Sequence, residues 1–228
     1  MTTTNAGEED SVVVERYGPV ATVILSRPDK LNALNREMWT GLNEMFSKLN
    51  LVDSIRCIFL RGADDNAMGP GADISEFESY RKNSEQGVEY GALMHGTLAA
   101  IRKSRHPVVA IIKELCVGGA MELSLMCDIR ICGESSRFGV PTNQLGLVMA
   151  YPETAALVDL VGTSVAWKSC MKKAYSMQPK PRKKGRSTGD TKNLPIEARP
   201  AFTCFCLLPK KSKRRASPVL IRKTTKRA

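Results

Sequence analysis

Short apolar runs of strand length recur along this chain, with helix-period segments between them, and this alternation constrains its fold more than any other feature. Residues 12–16 and 20–26 are rich in β-branched side chains, and the Tyr17-Gly18-Pro19 turn between them predicts a hairpin. A helix beginning near Asn35 follows, with Met38, Leu42, Met45, Phe46 and Leu49 at the i, i+3, i+4 spacing of a one-sided helix. Residues 55–60, 108–112 and 129–132 read as further buried strands. Helices are expected over 74–80, 85–103 and 120–126, and residues 63–72 read as a loop punctuated by Gly and Pro. Strands alternating with helices place the chain in the α/β class. None of the apolar runs approaches the roughly 18 residues that a membrane helix needs.

The alternation stops near Ala166, and the charge changes at the same place. Residues 1–166 hold 15 Lys and Arg against 21 Asp and Glu, a net of −6, while residues 167–228 hold 19 against 2, a net of +17. The chain's formal charge of +11 is therefore the property of its last 62 residues. Charge blocks such as Lys180-Pro181-Arg182-Lys183-Lys184 carry no apolar period, so the expectation there is disorder, as it is for the polar residues 1–11. Aromatic residues do not interleave the basic clusters as a base-stacking platform requires. The expected binding is then nonspecific attraction to anionic surfaces or nucleic acid, with no specific nucleic-acid partner. Seven scattered cysteines without a C-x-x-C pair, and only two histidines, argue against a zinc site or a disulfide framework. With no signal-peptide pattern at the N-terminus, they fit a reducing, cytoplasmic setting. His95 and His106 show no partner pattern, and Cys57, Cys116, Cys127 and Cys132 read as packing residues.

Two loops hold the candidate chemistry. Gly69-Pro70-Gly71-Ala72-Asp73-Ile74 follows the strand ending at Leu60, and Val117-Gly118-Gly119-Ala120-Met121-Glu122 follows the strand ending at Ile112. Glycine lets each turn sharply and lets a ligand approach the backbone. The first N–H groups of a helix lack internal partners, so two of them aimed at one point can stabilise an oxyanion. On spacing alone the same residues also suit two ordinary strand-to-helix turns, with Asp73 as a helix cap.

Taken with their flanks, these motifs closely resemble the enoyl-CoA hydratase/isomerase (crotonase) family. The residues that carry the resemblance are Arg27-Pro28-Asp29-Lys30-Leu31-Asn32-Ala33-Leu34, Gly71-Ala72-Asp73-Ile74, Pro107-Val108-Val109-Ala110, Val117-Gly118-Gly119-Ala120-Met121-Glu122-Leu123, Met126-Cys127-Asp128 and Phe138-Gly139-Val140-Pro141. The resemblance covers residues 12–166. It implies a spiral of ββα turns that binds an acyl-CoA thioester as substrate, without a metal or a separate cofactor, in a homotrimer or hexamer. It places the oxyanion donors at the N–H groups of Ala72 and Gly119 and the proton-transfer residue at Glu122. Lys30, Leu31 and Ala33 would meet the CoA, with Lys30 toward a phosphate. Pro70, Gly71, Asp73, Ile74, Gly118 and Thr142 would line the rest of the site.

Thr142 stands where well-studied hydratases carry a second glutamate, and a hydroxyl is too weakly acidic to replace it near neutral pH. Glu153, after Pro152 at an expected helix start, is either its substitute or a first-turn acid favoured by the helix dipole. The family pattern ends just after Val165-Ala166. Residues 167–228 therefore read as a basic non-family tail of a shifted reading frame, in place of the family's C-terminal helical region. The alternative function is an inactive truncated homologue whose only binding comes from that tail.

Overall fold

A computed structural model describes residues 11–144 and 146–171. The chain opens with an antiparallel hairpin of β1 (Val12–Tyr17) and β2 (Val20–Leu25), turned at Gly18 with φ +57°. After α1 (Arg36–Leu49), a three-part unit repeats: a strand in a large sheet, a short strand in a small one, then helix. The first unit is β3 (Cys57–Gly62), β4 (Ala67–Gly69), then α2 (Phe77–Tyr80) and α3 (Ser84–Arg102). The second is β5 (Val108–Ile112), β6 (Leu115–Val117) and α4 (Gly119–Met126). The third is β7 (Ile129–Cys132), β8 (Arg137–Gly139) and α5 (Tyr151–Val161), after which α6 (Thr163–Met171) closes the described chain. The large sheet has the order β1-β2-β3-β5-β7, parallel beyond the hairpin, and the small parallel sheet has the order β4-β6-β8. This is the expected spiral of ββα turns.

Each element follows from local chemistry. All five residues of β5 are buried, the pattern of a parallel strand covered on both faces. Helix α1 starts where the Asn35 side chain accepts a hydrogen bond from the Met38 N–H at 2.9 Å. It buries Met38, Trp39, Leu42, Phe46 and Leu49, while Met45 stays partly exposed. Residues 63–72 are not wholly loop, because they contain β4, and β6 and β8 carry no sequence signal of their own. Strands of three residues are too short to show a period, and their partners exist only once the spiral has formed.

Helices α3, α4, α5 and α6 pack in succession, each against the next. The first residues of the expected tail, 167–171, are the end of helix α6, and residues 172–228 lie outside the described residues, as do residues 1–10. Ser11 is described, and its carbonyl accepts from the Ser26 N–H at 2.9 Å. Among the described residues no helix is long and apolar enough to cross a membrane.

Candidate active site

The spiral brings three loops together, because β4 and β6 are neighbours and both chain segments leave their strands on the same side. The first loop, residues 27–34, makes a tight turn, with Leu31 and Asn32 in the left-handed region at φ +52° and +64°. Its Leu34 bridges Ala72 as a short parallel pair: the Leu34 N–H donates to Gly71 O at 2.8 Å, and the Asp73 N–H donates to Leu34 O at 2.9 Å. The Arg27 guanidinium fastens the pair by donating to Ala33 O at 2.8 Å and to Asp73 Oδ2 at 3.0 Å. Asp73 also accepts from the Ser75 N–H, so the expected cap is real. The Ser75 hydroxyl and the Arg27 guanidinium hold its carboxyl below the usual carboxylate range.

The second and third loops touch through bare backbone. A Cβ added at Gly71 (φ +110°) would come within 3.2 Å of Val117 O and 3.5 Å of the Gly119 nitrogen. One added at Gly118 (φ +51°) would lie 3.5 Å from the Gly71 Cα. Both positions favour glycine by their positive φ, and Gly71 also by its close approach to the Val117 carbonyl. The Gly118 N–H is tied to Gly139 O at 3.0 Å, and α4 then begins at Gly119. Among the described residues, neither the Ala72 nor the Gly119 N–H has a backbone acceptor. Two donors stand free on neighbouring loops.

Glu122 lies one turn into α4 and is 8% exposed. Burial, with the Glu153 charge adding to it and the Arg81 charge opposing, pushes its carboxyl up to about 7. Glu153, in the first turn of α5, is more buried still at 1% exposure. Its Oε1 lies 3.7 Å from His95 Nε2 on α3, and its Oε2 has no hydrogen-bond partner among the described residues. The Arg81 guanidinium is stacked 3.8 Å from the Tyr90 ring centre and 4.6 Å from that of Phe77.

The remaining expected residues are spread more widely. Lys30, Leu31 and Ile74 are exposed at the rim, Pro70 is half-buried and Ala33 is buried. Thr142 heads a single 3₁₀ turn after β8, with its carbonyl accepting from the Leu147 N–H at 3.0 Å. The second carboxylate within electrostatic reach of Glu122 is Glu153. His95 was not readable as a site residue, because periodicity along α3 does not reveal which face meets α4 and α5, and neither was Arg81, which follows α2 outside any periodic segment. His95 showed no partner pattern in the sequence, and the structure brings its half-exposed ring to Glu153.

A two-sheet ββα spiral with paired glycine loops and two buried glutamates is matched by a family model described as Enoyl-CoA hydratase/isomerase, over residues 15–180. The chain belongs to the enoyl-CoA hydratase/isomerase family. It is similar to the short-chain-enoyl-CoA hydratase of Clostridium acetobutylicum, at 31% identity over 70% of this chain and 60% of the relative. It is also 27% identical to the crotonyl-CoA hydratase of Syntrophomonas wolfei, over 69% and 60% of the two chains. Among solved structures, an enoyl-CoA hydratase/carnithine racemase from Magnetospirillum magneticum superposes with a TM-score of 0.68 at 44% identity, covering 71% of this chain and 61% of that one. The chain thus spans about 60% of the length of the family relatives it matches.

Proposed function

We propose that this chain is an acyl-CoA enzyme of the hydratase/isomerase type, working through a thioester enolate. The observation that carries the reading is the close backbone approach of Gly71 to Gly118-Gly119, on loops whose Ala72 and Gly119 N–H groups have no backbone acceptor among the described residues. A thioester carbonyl oxygen accepting from both would gain charge as the α-proton leaves, and such fixed donors stabilise a developing oxyanion by roughly 3–4 kcal/mol each. Glu122, buried one turn beyond these donors, takes the proton as a carboxylate and can return it at another carbon. That is double-bond migration, which needs one proton-transfer group. The loop carrying Lys30 and Leu31 receives the CoA moiety, and the Arg27–Asp73 ion pair holds that loop against the donor at Ala72. Assembly into a trimer or hexamer belongs to the same proposal and rests on the family resemblance alone.

Thermal protection tests the reading. Crotonyl-CoA should raise the melting temperature of the full chain more than an equal concentration of free CoA does, because only the thioester has a carbonyl for the two N–H groups. Equal protection by both would mean that no working oxyanion hole exists.

A further inference from the structure

Glu153 is a buried carboxylate whose surroundings are incomplete. At 1% exposure its Oε2 has no hydrogen-bond partner among the described residues, a costly state that packing alone does not explain. Its other oxygen, Oε1, lies 3.7 Å from His95 Nε2, which joins α5 to α3. The His95 side chain is 45% exposed while that of Glu153 is 2% exposed, so the pair runs from the interior to solvent within one contact. Glu122 is buried on α4, which packs against the α5 helix that carries Glu153, and it feels the charges of Glu153 and of Arg81. The position that would hold a second glutamate is Thr142, which offers no proton-transfer group near neutral pH.

We infer that Glu153 and His95 form a proton relay between the Glu122 side of the site and solvent, a route by which Glu122 exchanges its proton where Thr142 offers none. The inference rests on the acyl-CoA reading above. In the outward step a proton on Glu153 Oε1 passes to Nε2 of an imidazole in its Nδ1–H form. The resulting imidazolium releases its Nδ1 proton to water, leaving a carboxylate and a neutral ring. The inward step is the reverse. The relay needs the half-exposed imidazole to close the 3.7 Å separation to hydrogen-bonding distance. Glu153 and His95 act on the substrate through Glu122, so they are positioning and relay groups.

The test uses the full chain with a crotonyl-type thioester in weakly buffered solution. His95→Ala should lower kcat by roughly tenfold or more at unchanged KM, and added imidazole should restore it. His95→Gln, which keeps a hydrogen-bond donor but cannot carry a proton, should remain slow. An unchanged kcat and pH profile in His95→Ala, or a loss that imidazole does not rescue, overturns the relay. A second measurement needs no turnover: the chain has two histidines, so their ring resonances can be followed separately. Glu153→Gln should move the ring resonances of His95 and leave those of His106 in place, and an unmoved His95 overturns the pair. Absence of thioester protection fails the acyl-CoA reading and the relay with it. Protection combined with an unmoved His95 fails the relay alone.

Discussion

Glu122 is the residue on which chemistry and stability meet. Its carboxyl is raised from 4.5 to about 7, first by burial and then by Glu153, so near neutral pH it is poised between acid and base. If proton abstraction limits the reaction, kcat should rise with pH up to about 7 and then level off, as the reactive carboxylate fills. Glu122→Gln should remove that bend and lower turnover by roughly 10²–10⁴, while thioester affinity is kept because the oxyanion donors are backbone groups. A variant with undiminished turnover would assign the proton transfer elsewhere. The same shift has a thermodynamic sign. Between pH 4.5 and about 7 the folded chain keeps a proton on Glu122 that the unfolded chain has released. Stability from this group is therefore full below 4.5 and lost as pH rises through 7, by at most about 1.4 kcal/mol per pH unit. Glutamine does not titrate, so Glu122→Gln should melt higher than the parent at pH 8, with the difference closing toward pH 4.5. A pH-independent difference in melting temperature would mean that Glu122 does not carry the shift.

At the scale of elements, what the sequence made legible was whatever had a period or a punctuation mark. Residues 108–112 and 129–132 are strands with the bounds their apolar runs suggest, and Asn35 marks the start of α1 because its side chain caps the helix. Ala72, Gly119 and Glu122 were singled out through the family resemblance, since the spacing of the two glycine loops by itself also suits ordinary strand-to-helix turns. The three strands of the small sheet left no signature in the sequence, and neither did the face of α3 that brings His95 to Glu153. Asn32 is a further part of the site framework that could be quoted as a motif letter but not explained until folded. It is fully buried at φ +64°, accepts from the Arg27 N–H at 3.0 Å and donates to Ala67 O at 2.9 Å, so it joins the first loop to β4. Alanine would remove both bonds and fit the left-handed backbone less well. Asn32→Ala should cost about 2–4 kcal/mol, read as a lower urea midpoint at unchanged slope. A loss below about 0.5 kcal/mol would mean that the Arg27–Asp73 ion pair holds the loop by itself.

The whole molecule divides by charge where the description of its structure ends. Residues 1–171 carry 16 Lys and Arg against 21 Asp and Glu, a net of −5, and residues 172–228 carry 18 against 2, a net of +16. Every residue assigned here to the oxyanion donors, the proton transfer and the CoA loop lies between Arg27 and Glu153, on the acidic side of that divide. The two halves should therefore be separable in function. The full chain should bind DNA without sequence preference, with an affinity that falls steeply as salt rises, because each neutralised phosphate releases counterions. A chain ending at Met171 keeps α5 and α6, on which Glu153 depends, but it has a net negative charge and should repel the same DNA. It should retain the greater thermal protection by crotonyl-CoA over free CoA. Four large apolar side chains near its end, Val148, Tyr151, Trp167 and Met171, are exposed in the described residues, so the comparison is best made at low protein concentration. DNA binding that survives the deletion would place the anionic-surface site within the crotonase-like core. Loss of thioester protection would show that residues beyond 171 help complete the acyl-CoA site, and the charge boundary would then not be a functional one.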